Sequence, residues 1–200
     1  MRPEQQLTPE VQAERAVFNE RLASIDPARI KVLDESRVEV GVRVAYGYSA
    51  RGTRCYDSGP HRSGMARSLV GWLGLDGSGV VATHKGSVRG WTFRGFVRDH
   101  LAPHLTAGDI VIWDNARLHG VEGVREMIEA RGAEILPLPR YSPDLSPIEP
   151  AWSKIKQIVK RLRAATEATL EDAVTVGVSA VRASDAVGWF GHCGYLHQSD

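Results

Sequence analysis

Three acids stand where the chain ends a run or turns, and their chemistry is the first question the sequence raises. Asp34 closes the apolar part of "RIKVLDES", Asp114 closes "DIVIWDN", and Glu149 sits in "RYSPDLSPIEPAWSKIK" between Ile148 and Pro150. Carboxylates are hard oxygen ligands, the chemistry that Mg²⁺ and Mn²⁺ prefer. Two such ions about 4 Å apart can clamp the attacking and leaving oxygens of a phosphodiester. Two strand-end carboxylates in one crevice repel each other, so positive charge is expected between them. Glu149 also has a plainer reading. Ser146-Pro147-Ile148-Glu149 matches a capping box, with Ser146 as N-cap, Pro147 as the first helical residue and Glu149 as the third. In the richer reading, the same proline-stiffened approach holds a metal ligand that has little conformational entropy left to lose.

The helix that follows carries a second pattern. Ile148, Trp152, Ile155, Val159 and Leu162 keep a three-four rhythm and are expected to face the core. At about 100° per residue, Glu149, Lys156, Lys160 and Arg163 fall on a separate stripe beside that face. A carboxylate followed by three cations suits a metal site continued by a phosphate-binding track. From Arg140 to Arg163 six cations face two acids, in a chain whose formal net charge is only +1. Arg140, Lys156, Lys160 and Arg163 are therefore the candidate DNA contacts. Asp144 reads as a turn residue. His192, Cys193 and His197 lack the CxxC or fourth ligand that a zinc site needs.

These residues need elements to position them. Residues 8–24 read as a charged amphipathic helix with Thr8 as N-cap and Pro9 at its first position. "RIKVLDES" reads as a short strand ending on acids. "RSLVGWLGL" and "VVATHKG" flank "DGSG", a hairpin signal. Residues 91–105 carry helical spacing, residues 109–115 a strand buried on both faces, and residues 121–132 a helix closed by Gly132. Residues 133–139 form a further strand, then comes the helix to about Arg163, a helix over 169–183, and an aromatic tail over 187–195. Three strands in a meander, then two strands joined through helices, make a mixed five-strand sheet with helices on both faces. Ligand sites in such sheets form beyond the carboxyl ends of the strands, where the winding reverses.

Length and composition set the bounds. Two hundred residues, 42% apolar and 24% charged, suit a globular domain with a full core. No apolar run approaches a membrane span, and residues 1–24 are too polar for a signal peptide. Two distant cysteines, Cys55 and Cys193, point to a reducing compartment, so a cytoplasmic location is expected.

"LDES", "VIWDNARLH" and "LPRYSPDLSPIEPAWSKIK" resemble the catalytic domain of bacterial insertion-sequence transposases of the DDE superfamily, in the mariner-like branch with a ribonuclease H-like fold. Asp114 and Glu149 have 34 residues between them, the spacing of that branch. The resemblance runs from about residue 26 to 195. It implies that Asp34, Asp114 and Glu149 bind two Mg²⁺ or Mn²⁺ ions. It also implies that the enzyme cuts DNA at transposon ends and joins the free 3′-hydroxyl to target DNA. Asn115 and His119 match the residues the family carries after its second acid, at the edge of the site. The family usually has Asn where Ser146 stands and a proline where Arg140 stands. Relatives carry helix-turn-helix domains before the first acid, whereas about 33 residues precede Asp34 here. The expectation is a catalytic half, the product of a second reading frame or a truncated copy. It would be served by a separate or fused N-terminal helix-turn-helix module and would assemble as a homo-oligomer on DNA. The division expected is an N-terminal helix over 1–25, a catalytic domain over 26–165, and a C-terminal helix and tail over 166–200. Two alternatives remain: a nuclease of the same fold that cuts without joining, and an inactive DNA-binding remnant.

Overall fold

Successive residues on a strand point to opposite faces, and the apolar runs of this chain fill both. The computed structural model describes residues 4–42, 46–56, 64–114 and 120–196. Its elements are α1 (Pro9–Ala23), β1 (Ile30–Glu39), β2 (Ala66–Gly74), β3 (Gly79–Lys85), α2 (Gly90–Phe96), β4 (Ile110–Trp113), α3 (Val124–Glu129), β5 (Glu134–Pro137), α4 (Ile148–Leu162), α5 (Glu167–Ser179) and α6 (Ala183–His192). The five strands form one sheet in the order β3-β2-β1-β4-β5. β1 and β2 are antiparallel, as are β2 and β3, while β1, β4 and β5 run parallel. The expected mixed sheet is therefore present.

Val32, Leu69, Ile110 and Ile112 point to one face, where they pack with Phe18 and Leu22 of α1, with Trp152, Ile155 and Val159 of α4, and with residues of α5 and α6. Leu33, Val70, Val111 and Trp113 point to the other face and pack with Phe93 and Phe96 of α2 and Val124 and Ile128 of α3. The "DGSG" hairpin forms as expected. Gly77 takes a positive φ of 79°, and the Ser78 N–H donates to the Asp76 carboxylate at 2.9 Å.

Four details differ from the sequence reading. First, β1 does not end on its acids but continues to Glu39, because β2 pairs with it over its whole length from Lys31 to Glu39. Asp34 is thus a mid-strand residue. Second, α4 starts at Ile148 with Pro147 at the N-cap position and no side-chain cap there. The Glu149 N–H donates to the Ser146 carbonyl instead, at 3.2 Å. Glu149 is the second helical residue, one step too early for a capping box. Third, residues 91–105 are not one α-helix. After α2 the chain widens into a π turn over Val97–Leu101 and tightens into a 3₁₀ turn over Ala102–His104. Pro103, which has no N–H to continue an α ladder, lies in that last turn. Fourth, the aromatic tail is mostly helical and forms α6, whose Phe190 is fully buried. A smaller difference concerns Thr8. It holds the N-cap position of α1 without a cap bond from its side chain, and its hydroxyl donates to the Gln5 carbonyl at 3.2 Å.

Candidate active site

Sheet register brings the first two acids together. β1 and β4 pair in parallel as far as Val32 opposite Ile112. Two residues further along each strand stand Asp34 and Asp114, where β4 has ended and β1 runs on. Glu149 enters from the first turn of α4. All three line one cleft of about 450 Å³, closed by Leu33, by residues 138–143 and by Ser146. The fork between a continuing strand and an ending one replaces the expected pair of strand ends, and it serves the same purpose.

Asp34 is the innermost of the three. On β2 its partner is Gly71, and a Cβ on Gly71 would lie 2.7 Å from the Trp152 ring. The missing side chain lets the indole lie against the strand, where its Nε1–H donates to Asp34 Oδ2 at 3.0 Å. Trp152 is thus more than a core residue of α4. Burial pushes the Asp34 carboxyl up to about 7, and the nearby Glu149 and Glu35 carboxylates push the same way. The Glu35 N–H and the Trp152 indole, both donating to it, pull it back. The positive charge expected beside Asp34 is not among these influences. A half-buried carboxyl pressed by two others and lining the cleft is a donor that suits a hard divalent cation. Among the described residues, no three His, Cys, Asp or Glu side chains already converge tightly enough to hold an ion. Joint ligation of one ion by Asp34, Asp114 and Glu149 would therefore need side-chain movement within the cleft.

The Glu149 side of the cleft is tied down by residues far away in sequence. Tyr141 adopts a positive φ of 54°, uncommon for a bulky residue. Gln6, 2% exposed, donates from Nε2 to the Tyr141 carbonyl at 3.2 Å and to Asp144 at 2.6 Å. Arg15 donates to Ser142 Oγ at 2.7 Å and forms a bidentate pair with Asp144 at 3.0 and 2.7 Å. That pair holds the Asp144 carboxyl below the usual range. Tyr195 donates from its hydroxyl to the Leu145 carbonyl at 2.7 Å. Asp144 is thus the acceptor through which α1 grips the loop, in addition to its place in a turn. The sequence reading missed Gln6, Arg15 and Tyr195, since nothing local links them to residues 141–145.

The candidate DNA contacts divide. Lys156 and Lys160 line a groove with Arg37, Val38, Glu39 and Val42. Arg163 is exposed at the end of α4, in a left-handed conformation at φ 52°. Arg140 lines the acidic cleft but is paired with Glu14 at 2.7 Å. Asn115 and His119 lie outside the described residues.

Comparison with known proteins identifies the family and the fold. The family model for DDE superfamily endonucleases matches residues 29–171, and the chain belongs to that family. A pre-cleavage Mos1 transpososome is similar in fold, with a TM-score of 0.71 at 16% identity over 97% of this chain and 61% of that one. A mariner Mos1 paired-end complex with Mg gives 0.72 at 18% identity over 96% and 60%. The Mos1 transposase catalytic domain with Raltegravir and Mg gives 0.68 at 15% identity over 97% and 92%. These likenesses establish the ribonuclease H-like fold expected from the sequence. The chain spans about 60% of the length of the Mos1 chains in the first two structures. No curated protein matches it in sequence. Among the described residues, no helix is long and apolar enough to cross a membrane.

Proposed function

We propose that this DDE-superfamily chain is the catalytic part of a transposase, cutting DNA at transposon ends and transferring the free 3′-hydroxyl into target DNA. The observation that carries the reading is the convergence of Asp34, Asp114 and Glu149 on one cleft. Those three carboxylates would hold Mg²⁺ or Mn²⁺, two ions per site, and when bound the metals would stabilise both the attacking and the leaving oxygens. The chain's own residues prepare for that. Trp152 fixes the orientation of Asp34 by its hydrogen bond. The α1 ties and Tyr195 fix the loop that leads into Glu149. Leu33, Leu138 and Pro139 supply an apolar lining beside the acids. Lys156, Lys160 and Arg163 follow Glu149 along α4 and would hold DNA phosphates, with Arg140 free to join them on release from Glu14.

The reading extends to assembly. Two DNA ends call for at least two copies of the chain. Recognition of the ends falls to an N-terminal helix-turn-helix module, separate or fused. The Mos1 structures are paired-end and transpososome complexes, which supports an arrangement of this kind here. The test is incubation with duplexes carrying the cognate inverted repeats, with and without such a module, in Mg²⁺, Mn²⁺ or Ca²⁺. Nicking and joining in Mg²⁺ and Mn²⁺, with binding only in Ca²⁺, is the expected result. Cleavage with no joined product would favour the nuclease. Binding with no metal-dependent cleavage would favour the inactive remnant.

A further inference from the structure

We propose that Arg37, Lys156 and Lys160 form a seat for one phosphodiester of bound DNA, and that Glu39 occupies Arg37 when DNA is absent. The inference rests on the DNA-processing reading and adds to it a site, a residue on a different element, and an internal competitor.

The seat is a groove of about 200 Å³ between the far end of β1 and the middle of α4. Its floor is apolar, made by Val38, Val42 and Val159. Lys156 and Lys160 are half-buried, so their stems pack along that floor while their ammonium groups reach the rim. At its far end the groove is tied shut by the Gly41 N–H, which donates to the Ala164 carbonyl at 3.1 Å. The two walls agree in distance from the acids. Lys156 lies seven residues after Glu149, about 10 Å along a helix. Arg37 lies three residues after Asp34, about 10 Å along a strand. Both walls therefore place a cation about three base steps from the metal cleft, at about 3.4 Å of axis per step. Lys160, one turn beyond Lys156, continues the same line.

Charge supplies the second half. Arg37 and Glu39 alternate onto the same face of β1, and Arg37 Nε stands 3.5 Å from Glu39 Oε1. The Arg37 side chain is 53% exposed and that of Glu39 27%. An ion pair this open is weak, and a phosphate offers the guanidinium a better bidentate partner. Arg37 and Glu39 both line the groove, so a phosphate bound there meets a guanidinium already paired, and DNA binding exchanges one acceptor for the other.

Opposite shifts from two neighbouring residues make the test. Affinity of the full chain for a short duplex is measured by fluorescence anisotropy in Ca²⁺ across a salt series, for wild type, Arg37→Ala, Arg37→Lys and Glu39→Gln. Arg37→Ala should weaken binding about three- to tenfold and lower the salt slope by about one contact, and Arg37→Lys should keep most of the affinity. Glu39→Gln should tighten binding by about threefold, because it removes both the competitor and a repulsive charge. Thermal melts identify any variant that loses its fold; Arg37→Lys and Glu39→Gln keep side-chain size, so their shifts decide the matter alone if Arg37→Ala unfolds. Affinity unchanged or lowered in Glu39→Gln, together with unchanged affinity in the Arg37 variants, overturns the seat. Inorganic phosphate replacing chloride at equal ionic strength should leave the duplex bound; Arg37-dependent displacement would reassign the groove to free phosphate. Cleavage plays no part in this readout. A protein that shows the opposite shifts but cuts nothing keeps the seat and loses the transposase reading, and a protein that cuts normally without them loses only the seat.

Discussion

Asp114 and Glu149 reach the same cleft by different means. Asp114 follows directly on β4, so backbone pairing with β1 and β5 sets its place to within the pleat of the sheet. Glu149 heads a helix whose approach, residues 140–146, belongs to no strand. That approach is held by Gln6, Glu14 and Arg15 from one end of the chain and by Tyr195 from the other. One acid is placed by backbone hydrogen-bond ladders, the other by side-chain ties that span 50 residues to Tyr195 and more than 120 to Gln6, Glu14 and Arg15. Ladder placement is robust to any single side-chain change, because no side chain makes the ladder. Tie placement is not, and the same difference separates what the sequence discloses from what it hides.

The strongest test of the comparison removes the acids themselves. Asp34→Asn, Asp114→Asn and Glu149→Gln should each lower metal-dependent cleavage by about a thousandfold or more, since each withdraws one ligand from charge stabilisation worth several kcal/mol. Melting temperatures should hold or rise slightly without metal, because each change also relieves repulsion between neighbouring acids. A Glu149→Gln protein that cuts at the wild-type rate would return Glu149 to a merely structural place at the start of α4.

A step down in size lies Gly71→Ala. Its new Cβ would meet the Trp152 ring at 2.7 Å and Val81 at 3.0 Å, so the indole must shift and its bond to Asp34 must lengthen. Overpacking of this kind costs about 1–3 kcal/mol of stability. Cleavage should fall about 10- to 100-fold as Asp34 loses its orientation. Trp152→Phe keeps an aromatic side chain but removes the N–H and part of the bulk of a fully buried indole, so it should show the loss of activity together with a cavity cost in stability. Equal activity in Trp152→Phe and wild type would mean that strand backbone alone places Asp34.

How much of this was legible beforehand follows from the same physics. The meander, the parallel crossovers and the expected meeting of the first two acids came from hydrophobic runs and the handedness of crossovers. Mid-strand Gly71 is a local signal of close backbone approach, and it could have pointed to Trp152. The apparent capping box at Ser146 misled, because a proline at position 147 serves as well at the N-cap as one residue later. Pairing between β1 and β2 past Asp34 was hidden, since Arg37 and Glu39 look like the polar end of a strand. Arg15 and Gln6 were illegible, because a charged face on α1 does not say which loop it will grip.

Arg15→Ala sharpens the comparison by acting on one wall only. The Arg15 side chain is 14% exposed and Asp144 44%, and loss of hydrogen bonds to a charged group typically costs about 1.5–3 kcal/mol when buried, less here. Cleavage should drop about tenfold, with a rise in the Mg²⁺ concentration needed for half-activity, because Glu149 is freed while Asp34 and Asp114 are not. Arg15→Lys should recover part of both. A matching drop in melting temperature with no change in Mg²⁺ requirement would show that the ties only stabilise the fold.

A further effect is read in stability rather than rate. Asp34 is held near 7 in the folded chain, against about 3.9 for an exposed aspartate. Between those values the folded state keeps a proton that the unfolded state has released, so metal-free stability falls as pH rises from about 4 to about 7 and levels off above. The sign is opposite to that of Asp144, whose lowered carboxyl contributes stability that is present above about pH 4 and lost as acid protonates it. Melting curves from pH 4 to 8 in chelator should therefore show a decline in wild type that is largely absent in Asp34→Asn, and Mg²⁺ should offset the decline by favouring the ionised acid. A wild-type profile parallel to that of Asp34→Asn would mean that the Asp34 carboxyl is hydrated in solution, and that the fork between β1 and β4 is more open than its register implies.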